Sequence, residues 1–284
     1  MRADEFANKT AIVTGAASGI GSALSAALAA SGARVVLADV DGNAAEHAAR
    51  ALGPERTAEA ASLDVRDADA FSALVENTVE RHGGIDYLFN NAGIAMGGPT
   101  HELTAAHWDR MIDVNLRGVV NGLLAAYPLM VERRCGHIVN TASGAGLVAP
   151  PFVTPYAATK HAVVGLSNGL RPEAALHGVR VSVICPGSVE TAILDRPVDA
   201  DLPITRSAPV TARQYLAVVK QRPVPADRFA ERALRQVARN RGVIVEPPSA
   251  RALWYLHRLS PRLVDTVCAR LARRVERDLV RPRT

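Results

Sequence analysis

The sequence is poor in cysteine, lysine and aromatic residues, and these shortages exclude several classes of protein. Its three cysteines, Cys135, Cys185 and Cys268, are odd in number and widely spaced, so they predict neither a disulfide framework nor a zinc site. A reducing compartment, the cytoplasm, is the expectation that follows. Aromatic residues make up 4% of a chain that is 48% hydrophobic, which favours an α/β fold rich in Ala, Val and Leu.

Segments and motifs of other classes are also missing. The first ten residues contain no apolar core of signal-peptide length, and no apolar run reaches the roughly 20 residues of a membrane span. The eight histidines form no His-Glu-x-x-His motif, which argues against a catalytic metal. Ser143 lies in Thr-Ala-Ser-Gly-Ala rather than Gly-x-Ser-x-Gly, so a hydrolase nucleophile elbow is not supported.

Basic charge is confined to the last third of the chain. Residues 1–190 carry a net charge of −5 and residues 191–284 one of +10, within a formal net charge of +5. No nucleic-acid-binding motif accompanies these charges, so nucleic acid is not an expected partner. Most of the basic residues are arginine and lysine is rare. A lysine at a position suited to proton transfer is therefore less readily explained by composition alone.

Short apolar segments alternate with helical segments along most of the chain. The predicted strands are Thr10–Thr14, Arg34–Ala38, Ala58–Leu63, Asp86–Phe89, His137–Ala142, Val179–Ile184 and Gly242–Glu246. This alternation predicts an α/β fold, a doubly wound (Rossmann) parallel sheet of about seven strands with helices on both faces. We expect one α/β domain over residues 1–246, with a loop and helices at about 190–240 inserted before the last strand, and a helical extension over residues 247–284.

Six predicted strands are each followed by a candidate site residue. These residues are Gly15, Asp39, Asp64, Asn90, Ser143 and Pro186. In a doubly wound sheet, ligands bind outside the carboxyl ends of the strands. The six positions therefore predict one binding site along a single edge of the sheet.

The first strand is followed by a glycine-rich loop, Gly15-Ala-Ala-Ser18-Gly19-Ile20-Gly21, and then by a helix. Glycines allow the backbone to approach a pyrophosphate, and the helix N-terminus offers free N–H groups to it. Asp39 ends the second strand 20 residues after Gly19, where a carboxylate accepts from ribose hydroxyls and repels a 2′-phosphate. These residues predict NAD rather than NADP, although Asp39 also fits a simple turn.

Tyr156 and Lys160 are four residues apart, so in a helix they share one face. An ammonium beside a phenol favours the phenolate and lowers its pKa. The Ser143 hydroxyl is able to hold a substrate oxygen near that phenol, which makes the three residues a proton-transfer site for an alcohol and carbonyl pair.

These motifs, taken in order, resemble the short-chain dehydrogenase/reductase family. The similarity runs from about Lys9 to Val245 and includes Thr14 to Gly21, Asn90 to Gly93, Asn115, Ser143, Tyr156 with Lys160, and Pro186-Gly187 with Thr191. It implies that Tyr156 is the acid/base, that Ser143 positions the substrate, and that Lys160 lowers the Tyr156 pKa and binds the nicotinamide ribose. It also implies a homodimer or homotetramer.

The resemblance assigns roles to further residues. Asn115 is expected to anchor a water in a proton relay, and Asp64 and Val65 to flank the adenine. The cofactor is further expected to contact Asn91, Ala92, Gly93, Val189 and Thr191. Asn90 and Asn115 also fit purely structural roles, in which each pins a strand end or a helix kink.

Two features depart from the family pattern. Pro172 lies inside the helix of Tyr156 and Lys160, where a proline predicts a kink or an end near Arg171. Nearly forty residues also follow the last strand, with Ser249 as a candidate helix cap. This tail fits an arm packed on its own domain or a sister subunit, a lid over a large apolar substrate, or a basic amphipathic helix on an anionic membrane. Its charge also fits an anionic substrate such as a coenzyme A thioester.

The sequence predicts an NAD(H)-dependent oxidoreductase that interconverts a secondary alcohol and a ketone, with oxidation as the expected direction. One alternative is a non-catalytic dinucleotide-binding sensor or scaffold, although that function does not require Ser143, Tyr156 and Lys160 together. Another is an epimerase or dehydratase, which needs a second acid/base after Thr191. The apolar loop residues suggest a bulky apolar substrate but also fit a core; they are Val198, Leu202, Ile204, Val210 and Leu216.

Overall fold

The computed structural model describes residues 5–195, 201–207 and 210–280 of the chain. Val198 of the apolar loop set lies outside these ranges. The strands are β1 (Thr10–Thr14), β2 (Arg34–Asp39), β3 (Ala58–Ser62), β4 (Tyr87–Asn90), β5 (His137–Thr141), β6 (Arg180–Pro186), β7 (Val189–Glu190), β8 (Val224–Pro225) and β9 (Val243–Glu246). All seven predicted strands are confirmed, and the short β7 and β8 pair, which the sequence did not predict, forms a separate two-stranded sheet.

Seven strands form one parallel sheet in the order β3-β2-β1-β4-β5-β6-β9. The order reverses between β1 and β4, which is the switch point where a doubly wound sheet opens a crevice for ligands. Alternate residues of β1 face opposite sides, because Ala11 and Val13 pack into one core cluster and Ile12 into another. The predicted fold class is therefore confirmed.

Ten α-helices cover the sheet and its edge. They are α1 (Gly19–Ala30), α2 (Gly42–Ala51), α3 (Ala68–His82), α4 (Ala105–Ile112), α5 (Gly118–Glu132), α6 (Thr154–Leu176), α7 (Ala212–Val218), α8 (Ala226–Ala238), α9 (Pro248–Leu259) and α10 (Pro261–Leu279) in the described residues. Helices α1 and α8 pack together on one face, and α3 packs with α5 on the other.

The structure corrects two expectations about helix ends. Helix α6 continues through Pro172 to Leu176, so it does not end near Arg171. The kink that was the other expectation for Pro172 stays a prediction. The one hydrogen bond that proline removes is a small part of a 23-residue helix that packs on β6. Helix α9 begins at Pro248 with Pro247 as its N-cap, and Ser249 is inside the helix.

The stretch Ala105–Glu132 corrects the expectation that no segment is long and apolar enough to cross a membrane. Its best window has a mean hydropathy of 1.2. It comprises α4, a π-helical turn at Asp113–Arg117 and α5, and it packs against α3 and α6. Core helices of globular domains have the same composition, and these contacts are those of a helix within the domain.

Asn90 begins a buried polar chain that joins two strands to a helix. Its side-chain Nδ2 donates to Asn140 Oδ1 on β5 at 2.9 Å, and Asn140 Nδ2 donates to Ser167 Oγ on α6 at 3.0 Å. All three residues are at most 2% exposed. The structural interpretation of Asn90 is thereby favoured, because this chain fixes α6 relative to β4 and β5.

Gly122→Ala is expected to destabilise the fold. A Cβ at Gly122 of α5 would lie 2.2 Å from Asn90 Oδ1 and 2.7 Å from Phe71 Cζ, so α5 must move away from the sheet. Overpacking of this kind costs about 1–3 kcal/mol. The same substitution at Gly165 of α6, where a Cβ meets nothing within 4 Å, is the control and should stabilise by about 0.5–1 kcal/mol. Thermal unfolding of both variants measures the difference; equal melting temperatures would contradict the prediction.

Candidate active site

A cavity of about 1250 Å³ runs along the carboxyl edge of the sheet. Nearly all the predicted site residues line it, namely Gly15, Ser18, Gly19, Ile20, Asp39, Asp64, Val65, Asn91, Ala92, Gly93, Ser143, Tyr156, Lys160, Pro186, Gly187, Val189 and Thr191. Gly21 and Asn115 do not line it and lie behind its wall. The tertiary structure thus places residues from six separate strand ends around one space.

The glycine-rich loop has the shape that a pyrophosphate needs. No side chain caps the N-terminus of α1, and its first turn contains no acidic residue, so the first N–H groups stay free for an anion. Gly15 and Gly19 have positive φ angles of 63° and 56°. A Cβ at Gly21 would lie 2.1 Å from Gly15 O, so glycine at this position allows the loop to fold back on the helix.

Thr14, which the sequence analysis included in the first strand and in the glycine-rich motif without giving it a role of its own, connects the loop to β4. Its Oγ1 accepts from the backbone N–H groups of Asn91 and Ala92, each at 3.0 Å. Asn91 Nδ2 in turn donates to Thr14 O at 3.1 Å. This reciprocal contact spans the switch point and holds the two sides of the crevice together.

Asp39 faces the glycine-rich loop. Its Oδ2 accepts from Ala17 N at 3.0 Å and its Oδ1 from Asp41 N at 3.2 Å, so the carboxylate is oriented at the cavity wall. The arginine of the same strand, Arg34, begins β2 five residues before Asp39. At roughly 3.3 Å per residue it lies about 16 Å away along the strand. The next residue, Val40, is 69% exposed and carries no charge.

Asp64 forms an ion pair that the sequence did not predict. Arg66 Nε donates to both of its carboxylate oxygens at 3.0 and 2.9 Å. Hydrogen bonds from Arg66 lower the pKa of Asp64 below its ordinary value, against the effect of partial burial. Both residues line the cavity, so an adenine ring beside Asp64 would meet an ion pair rather than an isolated carboxylate.

Ser143, Tyr156 and Lys160 meet where β5 gives way to α6. Lys160 Nζ donates to Thr141 O at 3.1 Å and lies 5.8 Å from the centre of the Tyr156 ring. Ser143 Oγ accepts from Ala145 N at 3.1 Å, and its hydroxyl hydrogen-bonds Tyr156 in the sense that lowers the phenol pKa. The three side chains therefore form one polar group at the cavity wall.

Burial sets the pKa values of this group. It raises the pKa of Tyr156, and the hydrogen bond from Ser143 opposes that shift. Burial also lowers the pKa of Lys160 to about 8. The pKa of Tyr156 is raised overall, because desolvation outweighs the hydrogen bond from Ser143. That Lys160 lowers the pKa of Tyr156 stays a prediction.

Asn115 is completely buried in the π-helical turn and holds the peptide of Ile94. Its Oδ1 accepts from Ile94 N at 2.9 Å and its Nδ2 donates to Ile94 O at 3.0 Å. A third contact, from Nδ2 to Thr159 Oγ1 at 3.3 Å, reaches α6. The side chain of Asn115 therefore positions the backbone of Ile94, next to Gly93. It also contacts the turn of α6 that contains Thr159 and Lys160.

The insertion before the last strand and the tail complete the cavity. The sequence indicated only part of this arrangement. Val210 and Leu216 of the apolar loop set line the cavity, whereas Leu202 packs in a core cluster with Met96 and Met111. Ile204 is 80% exposed and lies outside the lining. Of the three interpretations of the tail, packing on its own domain is supported, because α9 packs on β9 and α10 on α7 and α9.

Comparison with known proteins places this geometry among related enzymes. Residues 9–201 match the family model described as short chain dehydrogenase. The chain is 38% identical over 194 residues to levodione reductase of Leifsonia aquatica, a match that covers 66% of this chain and 73% of that protein.

Two solved structures extend the comparison. One is a short chain dehydrogenase/reductase from Burkholderia phymatum in complex with NAD, with a TM-score of 0.82, 33% identity, and coverage of 91% of this chain and 96% of that one. The other is a metagenomic short-chain oxidoreductase in complex with NADP, with a TM-score of 0.62, 37% identity, and coverage of 66% and 85%. A nicotinamide dinucleotide cofactor is therefore supported, and this chain belongs to the short-chain dehydrogenase/reductase family of oxidoreductases.

Proposed function

We propose that this protein is an NAD(H)-dependent oxidoreductase that interconverts a secondary alcohol and a ketone, with Tyr156 as acid/base. The observation that carries the proposal is the meeting of Ser143, Tyr156 and Lys160 in the same cavity as the uncapped N-terminus of α1. A non-catalytic sensor needs the uncapped N-terminus of α1 to bind a dinucleotide, but it does not need Ser143, Tyr156 and Lys160 together. Cytoplasmic location and a homo-oligomeric state belong to the same proposal.

The side chains have separate tasks in this reaction. The Ser143 hydroxyl donates to the substrate oxygen and holds it beside the Tyr156 phenol. In the oxidising direction the Tyr156 phenolate takes the hydroxyl proton, and in the reducing direction the neutral phenol returns it. The bound nicotinamide supplies the hydride acceptor or donor.

Lys160 has a positioning and an electrostatic task. Lys160 Nζ donates to Thr141 O at the end of β5, and from this position the ammonium would bind the nicotinamide ribose and favour the Tyr156 phenolate. Asn115 acts one step away, because it fixes the Ile94 peptide behind this turn. The proton relay through Asn115 remains part of the proposal.

An epimerase or dehydratase receives less support. Asp195 is the carboxylate that follows Thr191 in the cavity lining, and Arg213 Nη2 donates to it at 2.7 Å. Hydrogen bonds from Arg213 lower the pKa of Asp195, which makes that carboxylate a weak base.

Tyr156→Phe is expected to reduce kcat about 10²–10⁴-fold, because the variant keeps the ring but loses the proton donor and acceptor. Steady-state oxidation of secondary alcohols with NAD measures this loss. Tyr127→Phe on α5, outside the cavity lining, is the matched control and should behave as wild type. Retention of full activity by Tyr156→Phe would exclude it as the acid/base.

Lys160→Gln is expected to shift the pH dependence of alcohol oxidation. Oxidation requires the phenolate and therefore rises with pH; without the ammonium, the phenolate is less stable and its pKa is higher. The rising limb of kcat/KM should move up by about one to three pH units. An unchanged profile with a lower rate would mean that Lys160 only positions the cofactor.

Asp39→Asn is expected to weaken the preference for NADH over NADPH by about tenfold or more, because it removes the negative charge that repels a 2′-phosphate. Asparagine retains an oxygen acceptor for Ala17 N. Fluorescence titration with both cofactors measures the ratio. Asp41→Asn, whose carboxylate accepts from Ala44 N and lies outside the lining, is the control. Preference of the wild-type protein for NADPH would overturn the assignment of NAD and favour ketone reduction.

A further inference from the structure

The tail supplies one wall of the cavity, away from the glycine-rich loop. The residues of α9 and α10 that line it are Ser249, Ala250, Leu253, Trp254, Leu256, Val264, Val267, Cys268 and Leu271. Helix α7 contributes Tyr215 and Leu216 to the same wall. The wall is therefore largely apolar, and most of it comes from residues that follow the last strand of the sheet.

Three of these side chains stay partly uncovered although they line the cavity. Leu253 is 46% exposed, Leu256 42% and Val267 50%. Apolar surface in contact with water is unfavourable in proportion to its area. A ligand of matching polarity in the cavity would cover it.

Charge separates the two sides of the tail helices. None of the tail arginines in the described residues lines the cavity; they are Arg251, Arg258, Arg262, Arg270, Arg273, Arg274 and Arg277. Just past α7, the cationic Lys220 and the polar Gln221 also line the cavity, and both are exposed. The positive charge of the tail thus lies outside this wall, so the tail arginines give no support to an anionic thioester substrate.

We propose that α9 and α10 form the substrate wall and select a large apolar alcohol or ketone, either a fused-ring compound or a long-chain one. This proposal rests on the proposed function for the reacting end of the substrate. A cavity of about 1250 Å³ exceeds the roughly 300–1,000 Å³ that one drug-sized ligand needs, so it accommodates a dinucleotide and a large second molecule.

Kinetics with substrates of graded size test the wall. Leu253→Asn and Val267→Thr place polar groups on it with little change in volume. Each should lower the ratio of kcat/KM for a sterol or a long-chain 2-alkanol to that for cyclohexanol by about tenfold. Leu259→Asn is the control, because Leu259 is on α9 and 85% exposed but outside the lining, and its ratio should equal that of wild type.

The two large substrates distinguish the two forms of the proposal. A loss confined to the sterol identifies a fused-ring substrate, and one confined to the 2-alkanol identifies a chain, for which kcat/KM should rise about fourfold per buried methylene in the wild-type protein. The proposal would be overturned if the wall variants changed the kcat/KM ratio no more than Leu259→Asn does. It would also be overturned if the wall variants lowered kcat/KM equally for cyclohexanol and the large substrates.

Binding without turnover separates a failure of this proposal from a failure of the proposed function. Cys268 lines the wall, whereas Cys135 is exposed outside the lining and Cys185 is completely buried. In Cys135→Ser/Tyr156→Phe protein with NADH, a sterol ketone or a long-chain 2-ketone should slow alkylation of Cys268 by N-ethylmaleimide at least fivefold. If a ketone protects Cys268 from alkylation but the wild-type protein oxidises no alcohol, the proposed function is wrong and the substrate wall stands. If neither ketone protects Cys268, the proposal of the substrate wall is wrong.

Discussion

A buried lysine ammonium is the constraint on which the site depends. Lys160 is 3% exposed, and a charge so far from water needs an oxygen partner. Thr141 O at the end of β5 is that partner, so α6 has to cross the sheet where this carbonyl projects. The chain from Asn90 through Asn140 to Ser167 fixes the same crossing from inside the core. Catalytic geometry and fold stability are therefore set by the same few polar contacts.

The crevice has a second point of attachment at the switch between β1 and β4. Thr14 and Asn91 hold the glycine-rich loop against the neighbouring strand end, and Gly15 and Gly21 allow the close approach. Because the α1 N-terminus is then directed into the cavity without a capping side chain, the site offers an anion its free N–H groups. The cofactor end is thus built by backbone and the reacting end by side chains.

The proposed substrate wall is built in a third way, from helices outside the central sheet. Helix α10 packs on α7 and α9, and α9 packs on β9 at the edge of the sheet. The tail residues that line the cavity are largely apolar, and the tail arginines of the described residues lie outside the lining. Gly187 permits this closure, since a Cβ there would lie 2.9 Å from Ala250 Cβ. A wall built outside the sheet can change its specificity without disturbing Lys160 or the glycine-rich loop.

The sequence by itself determined the fold and indicated most of the residues around the cavity, because short apolar runs that alternate with helical segments, a glycine-rich turn and the Tyr156 to Lys160 spacing are local patterns. It placed six strand-end residues on one edge by topology alone. The ion pair of Asp64 with Arg66 joins residues two positions apart, and the sequence analysis did not predict it. Only the tertiary structure decided the contacts of Asn115 with Ile94 and the inward face of α9 and α10. These depend on which distant segments meet. The burial that raises the pKa of Tyr156 is likewise a property of the packed molecule.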